Sequence, residues 1–445
     1  MKIIFISLGC DKNLVDTEMM LGMLSAKGCS FTDDEEEADI AVVNTCCFIG
    51  DAKEESINTL LALGEKKKQG SLKAIIATGC LAQRYAKEIR EEIPEVDAIV
   101  GTNAIDRIAE AVDGVLTNSR PEFFRDINEK PVFGKKRVVT TGGYYAYLKI
   151  AEGCDKHCTY CIIPKVRGDY RSVPMETLVS EAKELAEEGA RELILVAQET
   201  TLYGVDLYGK KSLPELLEKL CAVEGLRWIR ILYCYPEEIT DELIETIRRE
   251  EKICHYLDIP IQHASDGILK RMGRKTSEAD LRQIIQKLRL RIPDICLRTT
   301  LISGFPGETI EDHETLLSFV DEMEFDRLGV FTYSAEEGTP AAEFPDQIEE
   351  EEKERRRGEL MELQQEIAFE KAEAMIGIET DVMIEGKVAD ENAYVGRTYQ
   401  DAPGVDGLIF INTEEELLSG AFVRARITAS YEYDLIGEIL DESTQ

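Results

Sequence analysis

The apolar positions divide the chain into three stretches of different rhythm. Up to about residue 117, short apolar runs at 2–8, 39–45, 73–78 and 96–100 alternate with amphipathic segments at 14–26, 51–68 and 83–92. Val15, Met19, Met23 and Ala26 fall on one helical stripe. This strand–helix alternation predicts a parallel, doubly wound sheet over residues 1–117. A second run of the same rhythm occupies about 140–370, with strands expected at 145–152, 192–197, 228–232, 255–259, 296–302 and 327–332. Helices are expected between them at 175–188, 213–223, 240–249 and 277–290. Six such units predict a partial (β/α)6 barrel, open on one side, with reactive groups at the carboxyl ends of its strands. The charged run at 349–357 reads as a solvated connecting helix with i,i+4 pairing that continues to Lys371 and ends the barrel.

From 373 to 441 the rhythm shortens to alternating segments at 380–384, 393–397, 408–411, 422–429 and 435–440. Gly386, Gly404, Gly407 and Gly420 punctuate them, which predicts a small antiparallel β-barrel. The expected fold class is therefore α/β, with an amino-terminal doubly wound sheet, a central partial barrel and a carboxyl-terminal β-barrel.

Composition narrows the partners. A net charge of −35 over 445 residues disfavours a polyanion held by broad attraction and accommodates a basic protein more easily. The chain opens on a strand, so no signal peptide is expected. No apolar run approaches the roughly 20 residues that span a bilayer. The expected location is the cytoplasm, where twelve cysteines serve as metal ligands sooner than as disulfides.

Eleven of the twelve cysteines fall into three groups. Cys154, Cys158 and Cys161 stand in the spacing CxxxCxxC directly after an expected strand. Three thiolates can converge on an iron–sulfur cluster and leave one iron open. Zinc is the competing reading, but structural zinc usually takes four ligands and only His157 lies close by. Cys10, Cys46 and Cys80 each sit just past a strand of the first domain, at the edge where open parallel sheets bind ligands. Cys29, Cys221, Cys234, Cys254 and Cys296 read as small core hydrophobes. Other strand ends carry Gln198-Glu199, Gln262-His263 and Gly304-Phe305-Pro306-Gly307-Glu308. Such groups suit hydroxyls, an ammonium or close backbone approach. His263 taken alone reads as a hydrogen-bonded structural histidine.

These motifs resemble the radical S-adenosylmethionine superfamily. The resemblance implies that Cys154, Cys158 and Cys161 hold a four-iron four-sulfur cluster whose open iron chelates S-adenosyl-L-methionine. It further implies that Tyr160 and Ile162 lie beside the adenine, and that Gln198, Glu199, Gln262, Arg298 and Gly304 contact the cosubstrate. Ser7-Leu8-Gly9-Cys10-Asp11-Lys12-Asn13, Asn44-Thr45-Cys46 and Thr78-Gly79-Cys80 resemble the ligand motifs of the methylthiotransferase branch. In that branch they hold a second four-iron four-sulfur cluster tied to sulfur insertion. Cys47 stands where the branch usually has glycine, which leaves an exchange with Cys46 open, although the spacing favours Cys46.

The last domain resembles the TRAM module, which often binds RNA. Residues 373–445 hold 16 Asp and Glu against 4 Lys and Arg, a net −12 that would repel a phosphate backbone. Asp401-Ala402-Pro403-Gly404-Val405-Asp406-Gly407, also a Pro-Gly turn, is similar to the motif of the methylthiotransferases that modify a ribosomal protein. The resemblance implies methylthiolation at an aspartate β-carbon of small-subunit ribosomal protein twelve, through a 5′-deoxyadenosyl radical. It also implies an electron donor such as flavodoxin or ferredoxin. A tRNA-adenosine methylthiotransferase is the nearer alternative and a non-catalytic iron–sulfur carrier the more distant one; tRNA and a membrane are not expected as partners.

Overall fold

The computed structural model describes residues 1–440, so the expected domain limit at 441 lies outside the described residues. The first domain is a six-stranded parallel sheet ordered Ser30–Phe31, Lys2–Ser7, Ile40–Thr45, Ala74–Thr78, Ala98–Val100, Glu122–Phe123. The two outermost strands are too short to carry a period, and the second lies beyond the expected limit at 117. Helices Asp11–Ala26 and Ile108–Leu116 bury Val15, Met19, Leu24 and Val112 on one face, while Gly50–Gln69 and Ala86–Glu92 bury Leu60, Leu63 and Ile89 on the other. The strand order reverses between Lys2–Ser7 and Ile40–Thr45, the switch point beside which open α/β sheets bind ligands.

The central domain is a six-stranded sheet in sequential order: Tyr145–Lys149, Glu192–Val196, Trp228–Ile231, Ile253–Asp258, Cys296–Ser303 and Arg327–Thr332. All five pairings are parallel and the sheet does not close. Its outer face buries Leu148, Leu195, Ile231, Leu257 and Leu297 against Leu178, Leu216, Leu243, Leu281 and Phe319 of the surrounding helices. Its inner face is not free. Tyr147, Ile194, Val196, Leu232 and Tyr256 share one apolar cluster with Val15 and Met19 of the first domain and Met383 and Ala402 of the last.

Helix Glu350–Ala374 makes the expected i,i+4 pairs, among them Arg356 to Glu352 at 2.7 Å. It is more than a solvated connector, because Lys353 and Arg356 are buried against the barrel. The last domain is a closed barrel of Glu379–Lys387, Ala393–Arg397, Ile409–Asn412, Asp434–Ile439 and Phe422–Tyr431. Four of its pairings are antiparallel, but Ile409–Asn412 and Asp434–Ile439 run parallel. The chain reverses twice between them, once into Phe422–Tyr431 and again at Glu432 (φ 52°), and two reversals restore the direction.

Candidate active site

The cysteine loop follows Ala151–Glu152, a short strand paired with Arg171–Ser172. Gly153 turns the chain with φ 78°, and a Cβ there would lie 2.0 Å from the Asp169 carbonyl oxygen, so only glycine fits. The loop is held by backbone bonds, from Cys154 N–H to Gly168 O at 3.1 Å and from Thr159 N–H to Met272 O at 2.9 Å. Cys154 and Cys158 are buried, and the Cys158 sulfur lies 3.4 Å from the Tyr235 hydroxyl. Burial, reinforced by Cys158, pushes the Cys154 thiol up to about 12. Burial likewise pushes up the Cys161 thiol, with Cys158 and Cys154 adding to it. Burial by itself disfavours the thiolates, and a bound cluster cation would supply the charge that offsets it.

In the first domain, Cys10 and Cys46 follow the two strands at the switch point, and Cys80 follows the next. Cys80 sits just past its strand as expected, but inside helix Gly79–Arg84, so helix begins at the strand end and not first at Gln83. Gly9, at φ 91°, lets the chain pass Cys46 so closely that a Cβ would meet its sulfur at 2.8 Å. Cys46 is pushed up to about 12 by burial first and then by Cys80, with Cys10 also contributing. Cys47 packs in the core with Leu60, Leu63 and Leu81, and its cation neighbour is Arg84. Cys46 lies among Cys10, Cys80 and Arg167, whereas Cys47 lies beside Cys80 and Arg84 and has neither Cys10 nor Arg167 among its main charge neighbours. Among the described residues no three His, Cys, Asp or Glu side chains close around a single ion. A four-iron core is larger than one ion and holds its thiolates farther apart.

The other predicted residues are spread over the barrel. Ile162 is buried, and Tyr160 packs edge-on against Phe305 at 6.5 Å. Gln198 donates to Glu152 Oε1 at 3.0 Å and leaves its own Oε1 unpartnered. Glu199 accepts from Thr201 N–H at 2.7 Å; burial pushes it up to about 7, and its Oε2 has no partner. Gln262 sits at φ 71°, with its backbone bonded to Thr300 and Ile302. His263 accepts from Ser265 N–H at 2.9 Å, in keeping with a structural role, though its Nε2 is unpartnered. Gly304 has no free N–H, because Glu308 folds back to accept from it at 2.8 Å and from Phe305 N–H at 3.0 Å.

Arg298 takes a different place from the rest. It lies near the start of its strand, 2.9 Å from Asp258 and 3.4 Å from Asp406, beside a cavity of about 70 Å³ lined also by Asp11, Tyr233 and Pro403. The loop 401–407 is therefore more than a turn. Tyr256 donates to Asp406 at 2.7 Å and Arg327 to Asp401 at 2.5 Å, which pins the last domain to the inner face of the barrel.

Sequence reasoning missed a buried network between the cysteine groups. Arg167, after the cysteine loop, pairs with Asp16 at 2.8 Å and Glu152 at 3.2 Å, and Lys149 joins the same two carboxylates. The one available signal was a charged residue inside a segment otherwise destined for burial.

Residues 2–101 match an uncharacterized protein family, UPF0004; residues 148–320 match the Radical SAM superfamily; residues 376–440 match the TRAM domain. The chain is 65% identical to the ribosomal protein uS12 methylthiotransferase RimO of Lachnoclostridium phytofermentans, over 98% of this chain and 99% of that one. It is 50% identical to the protein of the same name from Clostridioides difficile, over 99% of each. Among solved structures, the radical S-adenosylmethionine methyltransferase TsrM of Kitasatospora setae, with cobalamin and a four-iron four-sulfur cluster bound, shares the fold at TM-score 0.54. The two are 12% identical over 74% of each chain. No helix among the described residues is long and apolar enough to cross a membrane. Near-complete coverage at such identity places this chain in the ribosomal protein uS12 methylthiotransferase family, a branch of the radical S-adenosylmethionine superfamily.

Proposed function

We propose that this chain attaches a methylthio group to the β-carbon of an aspartate in ribosomal protein uS12, using S-adenosyl-L-methionine. The observation that carries the reading is the 65% identity to a uS12 methylthiotransferase across 98% of the chain. Cys154, Cys158 and Cys161 would hold one four-iron four-sulfur cluster, and Cys10, Cys46 and Cys80 a second. When bound, the first supplies reductive cleavage of the cosubstrate and the second supplies sulfur. A cytoplasmic electron donor such as flavodoxin or ferredoxin would feed the first.

The protein's own part is positioning and the exclusion of water. The unpartnered oxygens of Gln198 and Glu199 suit the ammonium and hydroxyls of the cosubstrate. Glu308 stiffens the turn at Gly304 and Phe305 beside Tyr160, and Arg356 donates to Glu308 Oε1 at 2.9 Å to keep it there. The acidic last domain favours a basic protein over RNA. Of its four cations, Arg397 is buried on Glu192 and Glu385, Arg424 pairs with Asp381 and Arg426 with Glu379. Little positive charge is left to meet phosphates.

The test is mass spectrometry of uS12 and tRNA from cells lacking the chain, restored with the wild type or with Cys158→Ala. The expected result is loss of the methylthio group from uS12, recovery with wild type alone and unchanged tRNA. Loss from tRNA with uS12 still modified would install the tRNA reading instead.

A further inference from the structure

Arg167 ends the short helix Ile163–Arg167 that follows the cysteine loop, so it belongs to the barrel. Its guanidinium nevertheless reaches into the first domain. Nε donates to the Cys80 sulfur at 3.3 Å, Nη2 donates to Asn13 Oδ1, and Nη1 pairs with Asp16 at 2.8 Å and Glu152 at 3.2 Å. The Arg167 side chain is 2% exposed, and Asp16, Glu152 and Lys149 are also buried. Glu152 in turn accepts from Gln198 at 3.0 Å. One buried network therefore touches Cys80 in the first domain and both flanks of the cysteine loop in the barrel.

Two carboxylates and two cations cancel, so the ion pairs account for the burial of all four charges. They do not account for the direction of Nε–H, which turns away from both carboxylates onto sulfur. Hydrogen bonds to ligand sulfurs and local charge set the potentials of iron–sulfur clusters. An added electron makes the sulfurs more negative, and a fixed donor in a dry site stabilises that state more than the oxidised one.

We propose that Arg167 is a positioning residue that raises the reduction potential of the cluster held by Cys10, Cys46 and Cys80, through its hydrogen bond to Cys80. This rests on the two-cluster reading given above. Because the donor comes from the barrel, the potential is set only when the two domains are docked.

The test uses the full chain with Cys154, Cys158 and Cys161 replaced by Ala, reconstituted with iron and sulfide, so that only the first-domain cluster remains. Iron is counted, and the cluster is titrated anaerobically with dithionite as the one-electron source and followed by electron paramagnetic resonance. The parent should bind about four irons per chain. Arg167→Gln should lower the midpoint, with the reduced-to-oxidised ratio at fixed potential falling on the order of tenfold, or 59 mV for one electron. Arg167→Lys keeps the charge and should fall by less, and it carries the test if the Gln variant does not load. Asp16→Asn breaks the same network without touching sulfur and should not lower the midpoint. Mere loosening would move the Arg167 and Asp16 variants downward together. That result, or an unmoved midpoint in both Arg167 variants, overturns the proposal. A parent that binds no cluster defeats the two-cluster reading itself.

Discussion

Glu192 joins two domains through one carboxylate, and Glu192→Gln measures that joint. Its Oε1 lies 2.7 Å from Arg230 Nε of the neighbouring barrel strand, and its Oε2 lies 2.8 Å from Arg397 Nη2 of the carboxyl-terminal barrel. All three side chains are 0% exposed. Burial alone would raise the Glu192 pKa, but Arg397 and Arg230 outweigh it and hold the carboxyl below its ordinary 4.5. Removing one partner of a buried pair costs about 3–5 kcal/mol, because the charge left behind stays desolvated. Here two guanidiniums lose a charge partner, although Arg397 keeps Glu385 at 2.6 Å and Arg230 keeps the Tyr399 carbonyl at 2.6 Å. At about 2–4 °C per kcal/mol for a unit of this size, the melting temperature should fall by roughly 6–20 °C. Calorimetry at pH 7.5 reads the loss, and limited proteolysis should release the last domain sooner. The sign with pH follows from the depressed pKa: the contribution is present above the unfolded value and is lost as pH falls through the folded one. The gap between wild type and variant should therefore narrow in acid. A gap below about 1 kcal/mol at pH 7.5, or one that widens in acid, refutes the reasoning.

Cys46→Ala should lose about half of the bound iron and keep cosubstrate cleavage, whereas Cys47→Gly should keep both clusters; iron counts in the reverse order would reassign the ligand. Burial lowers His263 to about 3 from 6.5, so the unfolded chain binds a proton there first and stability drops as pH falls below 6.5. At pH 5 the loss is about 2 kcal/mol, and His263→Gln should remove that slope from urea unfolding measured at pH 5 and 7.5; an equal slope in both proteins would reject the assignment. Binding of purified uS12 should weaken with added salt, since charge steering fades beyond a Debye length of about 8 Å, and tight salt-resistant binding of tRNA would contradict the charge argument.

The three-domain order and the strand positions were legible because strands and helices have local periods, and each period is written within a dozen residues. The cysteines were legible for a related reason. A strand that ends at Ser7, Thr45 or Thr78 puts the following residues at one edge of a parallel sheet, whatever the rest of the chain does. The two-residue edge strands, the parallel pair in the last barrel and the burial of Lys353 left no such trace, since each depends on what lies beside it in space.

The network around Arg167 is the clearest case. Arg167 meets Asp16 across 151 residues of sequence, and Arg397 meets Glu192 across 205. A charged residue written in sequence carries no mark of its partner, and its own charge predicts only that it should face water. Docking of the three domains on the inner face of the open barrel removes that water, and the cost of a bare buried charge then selects the few arrangements in which every charge is paired. The sequence by itself determined which elements form and which edges carry thiols. Tertiary structure decided which charges meet, because pairing is a consequence of desolvation, and desolvation exists only once the domains have come together.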